Sequence, residues 1–169
     1  IETLRQISLR GKARVLVDSR FHISKFKDMI VKCNDNEALR AAGIEAEFDG
    51  AFNQERVAKV EKAMRRLQQN PKIPMFISCG TDGIRVLEND EIRTVPAYHV
   101  EGPVDICGAG DSALTGIACA LCAGATLSEA ALFGNLVASI IVQQIGVTGT
   151  ATPEQLRARF DEYQQQRRR

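Results

Sequence analysis

A glycine-rich turn followed by an acidic residue carries the strongest chemical signal in this chain. Gly108, Ala109 and Gly110 precede Asp111 at the predicted start of a helix. Glycines let the backbone direct its N–H groups at an anion, and the helix dipole adds partial positive charge at the same point. The turn therefore predicts a cradle for a phosphate or an oxyanion. A carboxylate beside such a cradle can accept the proton of an attacking hydroxyl during phosphoryl transfer.

Two other interpretations of this turn have to be weighed. Asp111 could be a surface residue that only complements the helix dipole. The segment also fits the G-x-G-x-x-G/A dinucleotide fingerprint, which calls for one helix, a second strand and an acidic residue about twenty residues on. Here two successive helices are predicted and Glu129 falls in a helix cap, so the context opposes a dinucleotide site. The sequence contains no Walker A Gly-Lys-Ser/Thr.

The elements that must position these residues alternate between strands and helices. Apolar and β-branched runs predict strands over 13–18, 29–32, 74–79, 84–87 and 91–95, the last two joined as a hairpin. Caps and apolar spacing predict helices over 34–43, 53–70, about 111–123, 126–144 and from 152 to a polar, frayed tail at 164–169. The pattern predicts an α/β fold in a single domain over 1–169, with a mainly parallel sheet flanked by helices.

Composition excludes several classes of protein. The chain has 169 residues, with 22 Lys+Arg against 21 Asp+Glu, and this balance argues against a nucleic-acid partner. No apolar stretch reaches the ~20 residues of a membrane span. Five scattered cysteines predict reduced thiols and a cytoplasmic location. Cys119 and Cys122 have metal-ligand spacing, but His22 and His99 lie far off and no second cysteine pair follows, which favours core packing over zinc.

At residues 105–111, the sequence Asp-Ile-Cys-Gly-Ala-Gly-Asp resembles the C-terminal signature of the PfkB-type carbohydrate kinases, the ribokinase-like family, whose usual form is Asp-Thr-Thr-Gly-Ala-Gly-Asp. Gly116 follows it. Residues 34–37 are similar to the family's Asn-x-x-Glu motif, residues 78–83 to its Thr-x-Gly-x-x-Gly motif, and Asn135 falls on the penultimate helix near the adenine pocket. The chain resembles the C-terminal, nucleotide-binding half of such a kinase, nearest to the heptose-phosphate kinase branch.

The resemblance implies an enzyme that uses ATP and Mg²⁺ to phosphorylate a small-molecule sugar or sugar phosphate. Asp111 would be the catalytic base, and the N–H groups of Gly108, Ala109 and Gly110 would form the anion hole. The other implied contacts are to nucleotide phosphates and, through water, magnesium (Asn34, Glu37), to ATP (Ser78, Gly80, Gly83), to the base (Asn135) and to K⁺ (Asp105).

Several of these roles have a structural alternative in the residues themselves. Asn34 and Glu37 also make a complete helix N-cap. The segment 78–83 could be simply a tight turn between strands, for which glycine is the usual residue. Asn135, on a small-residue helix, could satisfy a neighbouring backbone group.

Two departures from the family define an alternative function. Ile106 and Cys107 replace the two threonines of the usual signature, which removes two hydroxyls beside the phosphates. The sequence also contains no counterpart of the family's N-terminal, sugar-binding half. The alternative is a catalytically silent fragment or pseudokinase that acts as a nucleotide-binding or assembly module. A sheet shortened in this way would leave an edge strand uncovered, which predicts a homo-oligomer as a further partner state.

Overall fold

The chain folds into two compact units. The computed structural model describes residues 1–11, 13–45 and 53–168. Unit 1 comprises Ile1–Cys79 and Arg85–Thr94, and unit 2 comprises Gly80–Ile84 and Val95–Arg169. The helices and strands, in chain order, are α1 (Glu2–Leu9), β1 (Leu16–Val17), β2 (Ile30–Asn34), α2 (Asp35–Ala41), α3 (Gln54–Leu67), β3 (Met75–Ser78), β4 (Ile84–Glu88), β5 (Glu91–Val95), α4 (Ala109–Cys122), α5 (Leu127–Ile141) and α6 (Pro153–Gln166).

The strands form one sheet in the order β1-β2-β3-β4-β5. The pairs β1–β2 and β2–β3 are parallel, with Leu16 opposite Ile30. Strands β4 and β5 are joined by a two-residue turn in which Asn89 and Asp90 have φ values of 49° and 64°. Two central residues with positive φ are the requirement of the tight turn that matches the twist of an antiparallel hairpin. The expected α/β fold, a mixed and mostly parallel sheet flanked by helices, is confirmed.

The core of unit 1 lies between the sheet and helices α2 and α3. Its members include buried apolar side chains from β1, β2, β3, β4 and the two helices: Val17, Val31, Cys33, Ala38, Leu39, Val60, Ala63, Met64, Met75, Ile77 and Leu87. Full burial of such a Val, Leu or Met side chain contributes roughly 1.5–3 kcal/mol. Successive residues of β2 are buried, as in a strand covered on both faces. Lys32 is therefore a buried charge within that strand.

In unit 2, small residues bring helices α4 and α5 into backbone contact. A Cβ on Gly116 would lie 3.0 Å from Gly134 Cα, and a Cβ on Gly134 would lie 2.9 Å from Ala113 O. The run of small residues in α4 thus has a packing reason, because any larger side chain at these two glycines would separate the helices. Within the described ranges, no helix is long and apolar enough to cross a bilayer.

Helix α6 is attached within unit 2 by polar side chains. Arg159 Nη1 donates to Ser139 Oγ of α5 at 2.8 Å, and its guanidinium carbon lies 4.3 Å from the centre of the Tyr98 ring. Gln166 accepts the His99 N–H at 3.2 Å and donates to His99 O at 3.1 Å. The side chain of Gln166 therefore binds the segment after β5 as a neighbouring strand would.

Several element boundaries differ from the sequence prediction. The strand expected over 13–18 is only Leu16–Val17, whereas helix α1 (Glu2–Leu9) was not predicted. Its signal, apolar residues at 1, 4 and 7, is present but short. The tail expected over 164–169 begins as helix, because α6 continues to Gln166, where the contacts with His99 hold it.

The expected core positions of Cys119 and Cys122 are wrong, since both side chains are exposed. The buried positions of α4 include Ile117, Ala120 and Leu121, which occupy a different side of the helix. In contrast, Cys33 and Cys79 are buried. No group of three or more His, Cys, Asp or Glu side chains suited to a metal ion occurs among the residues described.

Candidate functional site

The first group of predicted site residues lies at the carboxyl edge of the sheet in unit 1. Asn34 ends β2, Ser78 ends β3, and the two residues are direct partners in the parallel register. Ser78 Oγ donates to Cys33 O at 3.4 Å. Open α/β sheets bind ligands outside the carboxyl ends of their strands. The fold therefore brings Asn34 and Ser78 together at the edge where a ligand is expected.

Asn34 and Glu37 form a complete capping box at the start of α2. Asn34 Oδ1 accepts the Glu37 N–H at 2.8 Å, and Glu37 Oε2 accepts the Asn34 N–H at 2.9 Å. The helix-capping role considered for Asn34 and Glu37 is thus present. The capping box uses one oxygen of the Glu37 carboxylate and holds the Glu37 side chain in one orientation. Because Mg²⁺ commonly takes one or two carboxylates and completes its shell with waters and substrate phosphates, Glu37 fits a water-mediated magnesium contact.

Two partly buried ion pairs lie at this motif and were not predicted from the sequence. Lys32 Nζ lies 3.0 Å from Asp18 Oδ2, and the Lys32 side chain is 3% exposed. Arg56 Nε donates to Asp35 Oδ2 at 2.7 Å, which joins the first turns of α3 and α2. The sequence contained a sign of the Lys32–Asp18 pair, because a lysine inside an apolar strand needs a partner when it is buried.

The charges at this edge converge on the Cys33 thiol. Burial raises its pKa, the negative charges of Glu37 and Asp18 raise it further, and the positive charge of Lys32 lowers it. A buried thiol with a raised pKa stays protonated and unreactive at neutral pH. Cys33 is therefore a packing residue beside the site and not a nucleophile.

In unit 2, Gly83 and Asn135 both contact the backbone where β5 ends. A Cβ on Gly83, where φ is 93°, would lie 2.1 Å from Val95 O and 2.6 Å from Ala97 N. Asn135 Nδ2 donates to Val95 O at 3.0 Å and to Pro96 O at 3.1 Å. The backbone role considered for Asn135 is therefore present, and its amide nitrogen is engaged. A contact with a nucleotide base would fall to its Oδ1.

The turn before Gly83 is a single 3₁₀ turn over Gly80–Asp82. Gly80 has φ 56°, and a Cβ there would meet nothing within 4 Å. The Gly83 N–H closes the turn on Gly80 O at 3.2 Å. Gly80 therefore faces open space, whereas Gly83 is enclosed by backbone, so the two glycines of this motif serve different purposes.

The glycine-rich cradle forms the N-terminus of α4. Gly108 is the N-cap, with φ 77° and ψ −4° and no capping side chain, and a Cβ there would meet nothing within 4 Å. Helix α4 begins at Ala109, so Asp111 is its third residue and not its first, as the predicted start near 111 had implied. The Ala109 N–H donates to Ile106 O at 3.1 Å. A place for this N–H in an anion hole requires that this turn hydrogen bond be given up.

Asp105 and Asp111 stand on either side of the cradle in different surroundings. Asp105 Oδ1 accepts the Cys107 N–H at 2.9 Å and Oδ2 accepts the Gly146 N–H at 3.2 Å. These two backbone hydrogen bonds lower the pKa of Asp105, and the bond from Cys107 has the larger effect. Asp111 is exposed, and within the part of the chain that the structure describes its carboxylate makes no hydrogen bond or ion pair. It is thus open to an incoming group.

Comparisons with known proteins cover most of the chain. Residues 10–155 match the family model described as pfkB family carbohydrate kinase. Bifunctional protein HldE of Wolinella succinogenes is 32% identical over 154 residues, which are 89% of this chain and 30% of that protein. Ribokinase of Thermotoga maritima superposes with a TM-score of 0.71 at 20% identity, over 95% of this chain and 53% of that one. Ribokinase of Cryptococcus neoformans gives a TM-score of 0.67 at 21% identity, over 95% and 56%.

The matches cover most of this chain but only part of each relative. The chain spans about 30% of the length of its HldE relative and about half of each ribokinase. The structural likeness, at low identity, shows a ribokinase-like fold. The family match, over residues 10–155, includes the segments 34–37, 78–83 and 105–111. The chain belongs to the pfkB family of carbohydrate kinases.

Proposed function

We propose that this chain binds ATP with Mg²⁺ and supports transfer of the terminal phosphoryl group to a hydroxyl of a sugar or sugar phosphate. The observation that carries the proposal is the start of α4. A glycine N-cap in a left-handed conformation, with open space above it, precedes an exposed carboxylate that no side chain among the described residues engages. Family membership supports the same chemistry.

The cradle supplies what phosphoryl transfer needs most, which is alignment and neutralisation of charge. In the proposal, N–H groups of Gly108, Ala109 and Gly110 at the positive end of the α4 dipole face the transferring phosphoryl group. Binding would draw the Ala109 N–H away from Ile106 O. Each donor in such a hole typically lowers the barrier by ~2.7–4 kcal/mol. Asp111 accepts the proton of the attacking hydroxyl as general base.

The nucleotide contacts proposed in unit 1 are those at the carboxyl edge. Asn34 and Ser78 are neighbours there and would contact the nucleotide, while Glu37 would hold Mg²⁺ through water. Magnesium would supply positive charge against the phosphates. The ribokinase of Cryptococcus neoformans was solved in complex with ADP, which supports nucleotide use in this fold.

The contacts proposed in unit 2 are to ATP and to K⁺. Gly80 has open space above it and would contact ATP directly, whereas Gly83 shapes the turn. Asn135 would reach the base through Oδ1. Asp105, whose two backbone hydrogen bonds lower the pKa of its carboxyl, is the proposed neighbour of K⁺.

The test of this proposal is the variant Asp111→Asn in the protein assayed with Mg-ATP and a panel of sugars and sugar phosphates. Loss of a general base typically costs about 10²–10⁴-fold in rate, so we expect turnover to fall by at least about 100-fold. Because Asp111 is not a proposed nucleotide contact, we expect the Kd of Mg-ATP, measured by isothermal titration calorimetry, to stay within about 3-fold.

The matched control is Asp161→Asn, which removes an exposed carboxylate from α6. It should leave turnover and nucleotide binding unchanged. Unchanged turnover in Asp111→Asn would remove that residue from the role of base. A folded wild-type protein that gave no calorimetric signal with Mg-ATP would contradict the nucleotide site itself.

The alternative, a catalytically silent fragment or pseudokinase that acts as a nucleotide-binding or assembly module, rests on a specific observation. Ile106, in place of a threonine of the family signature, is 79% exposed next to the cradle, where a hydroxyl could have met a phosphate. Binding of Mg-ATP without ATP consumption in the presence of any sugar or sugar phosphate would favour the alternative. Sugar-dependent ADP release would exclude it.

A further inference from the structure

The first turns of α2 and α3 are tied together by one guanidinium. Arg56, in the first turn of α3, donates from Nε to Asp35 Oδ2 at 2.7 Å, and its Nη2 contacts the same oxygen. The same Nη2 lies 3.4 Å from Asn36 Oδ1. Asp35 and Asn36 are the two residues between Asn34 and Glu37. Arg56 therefore binds the middle of the Asn-x-x-Glu motif without belonging to it.

This ion pair is nearly enclosed. The Asp35 side chain is 9% exposed and the Arg56 side chain 12%. Desolvation of two charges offsets most of their attraction, so a buried pair is often no more stabilising than apolar side chains of similar volume. Stability alone thus gives little reason for a charged pair here. The fixed, forked geometry of the pair is a better reason, because a guanidinium restricts the direction of its partner as well as the distance to it.

The pair acts on the orientation of the capping box. Asp35 Oδ1 accepts the Asn36 N–H at 2.9 Å, so the carboxylate is held at both of its oxygens. Asn34 and Glu37 exchange hydrogen bonds across this same turn of backbone. A change in the first turn of α2 would therefore change the direction of the Glu37 carboxylate.

A second, partly buried ion pair lies on the strand side of the same turn. Lys32, two residues before Asn34 in β2, is paired with Asp18, the residue that follows β1. The strand side of the turn is thus fixed through Lys32, and the helix side through Arg56. The Asn-x-x-Glu motif thus has one ion pair on its strand side and another at the first turn of its helix.

We propose that Arg56 is a positioning residue: through Asp35 and Asn36 it fixes the Glu37 side chain in the orientation that receives the magnesium ion of the bound nucleotide. The inference rests on the proposed function and adds to it a residue outside the family motif. It assigns to Arg56 an effect on the contribution of magnesium to binding and not on nucleotide binding in general.

The experiment measures the Kd of ATP in excess Mg²⁺ and in EDTA, by calorimetry, on the same protein. The ratio of the two values is the gain in affinity that magnesium provides. Loss of an outer residue that orients a metal ligand typically costs about 10–100-fold in metal affinity. For Arg56→Gln we expect the gain from Mg²⁺ to fall about 10-fold or more, with the Kd in EDTA changed by less than about 3-fold.

Three further variants keep the test decisive. Arg56→Gln leaves Asp35 buried without its partner, so the double variant Asp35→Asn with Arg56→Gln removes both charges and should fold and show the same reduced gain. Arg56→Lys keeps the charge but loses the fork, and an intermediate gain is expected. The matched control is Lys59→Gln, which removes a cation from α3 that pairs with Glu55, and it should retain the full gain.

The outcomes separate this inference from the function on which it rests. If wild-type protein binds Mg-ATP and the folded double variant shows an equal gain from Mg²⁺, Arg56 has no positioning role and the proposed function stands. If the folded wild-type protein does not bind Mg-ATP, both are overturned. Thermal melting of each variant establishes that the comparison is between folded proteins.

Discussion

At the scale of single residues, Asp105 illustrates how one carboxylate can organise a loop. Its two oxygens accept backbone N–H groups from Cys107, two residues on, and from Gly146, which lies 41 residues away. Its own N–H donates to Val142 O at 2.8 Å. The start of the family signature is therefore attached to the end of α5 through this residue, which holds the approach to the cradle.

The lowered pKa of Asp105 predicts a pH dependence of stability. A carboxylate whose pKa is lowered in the folded state stabilises the fold when the pH is above the pKa of the unfolded chain, near 3.8. That stabilisation is lost as the pH falls through the pKa of the folded state. We expect Asp105→Asn to lower the melting temperature at pH 6 and to flatten its decline below about pH 4. Thermal unfolding followed by circular dichroism from pH 2.5 to 7 measures this.

The comparison for this variant is again Asp161→Asn, an exposed carboxylate on α6. It should leave the shape of the pH profile as it is in the wild type. A profile for Asp105→Asn that coincides with the wild-type profile would show that the two backbone hydrogen bonds do not hold the loop in solution.

At the scale of elements, the loop between β3 and β4 depends on two glycines for different reasons. Gly80 needs only its left-handed φ of 56°, since a Cβ would meet nothing there. Gly83 needs both its φ of 93° and the absence of a side chain, because the backbone of 95–97 crosses directly over it. Glycine spacing in the sequence predicts a turn but does not distinguish these two roles.

These glycines form a matched pair for a stability measurement. Gly80→Ala incurs only the left-handed backbone cost, about 1–2 kcal/mol. Gly83→Ala adds a contact with Val95 O that the backbone must move to relieve, so we expect a loss of at least about 2 kcal/mol and a greater loss than for Gly80→Ala. Urea unfolding of both variants measures the difference. Equal losses would mean that the 95–97 segment does not pack on Gly83.

At the scale of the whole molecule, burial divides the five cysteines into two groups. Cys33 and Cys79 are enclosed in unit 1, whereas the other three, Cys107, Cys119 and Cys122, are exposed in unit 2. Reaction with an alkylating agent needs both access and the thiolate. Burial removes access and, for Cys33, raises the pKa so that the thiolate is scarce as well.

Alkylation of the native protein with iodoacetamide at pH 8 should therefore modify three thiols, and alkylation in guanidinium chloride should modify five. Peptide mass spectrometry identifies the sites, and we expect Cys33 and Cys79 to be protected in the native state. Modification of Cys33 as rapidly as Cys119 would show that the sheet of unit 1 opens on the timescale of the reaction.

The features that sequence alone determined depend on residues close together in the chain. The capping boxes at Asn34, Thr126 and Thr152 involve partners three residues away, and all three are confirmed. The hairpin turn at Asn89 and Asp90 needs only two consecutive residues that tolerate positive φ. Such short-range patterns, together with the order of the family motifs, were enough to predict the α/β fold and the family.

Only the tertiary structure decided which distant residues meet. Arg56 reaches Asp35 across 21 positions, and Asn135 reaches Val95 across 40. Neither contact leaves a local pattern, because a salt bridge or a side-chain hydrogen bond depends on where the chain returns in space and not on spacing along it. The same reason explains why Gly80 and Gly83 differ. Both are glycines in one turn, but the chain crosses directly over Gly83, and only this crossing leaves no room for a side chain at that position.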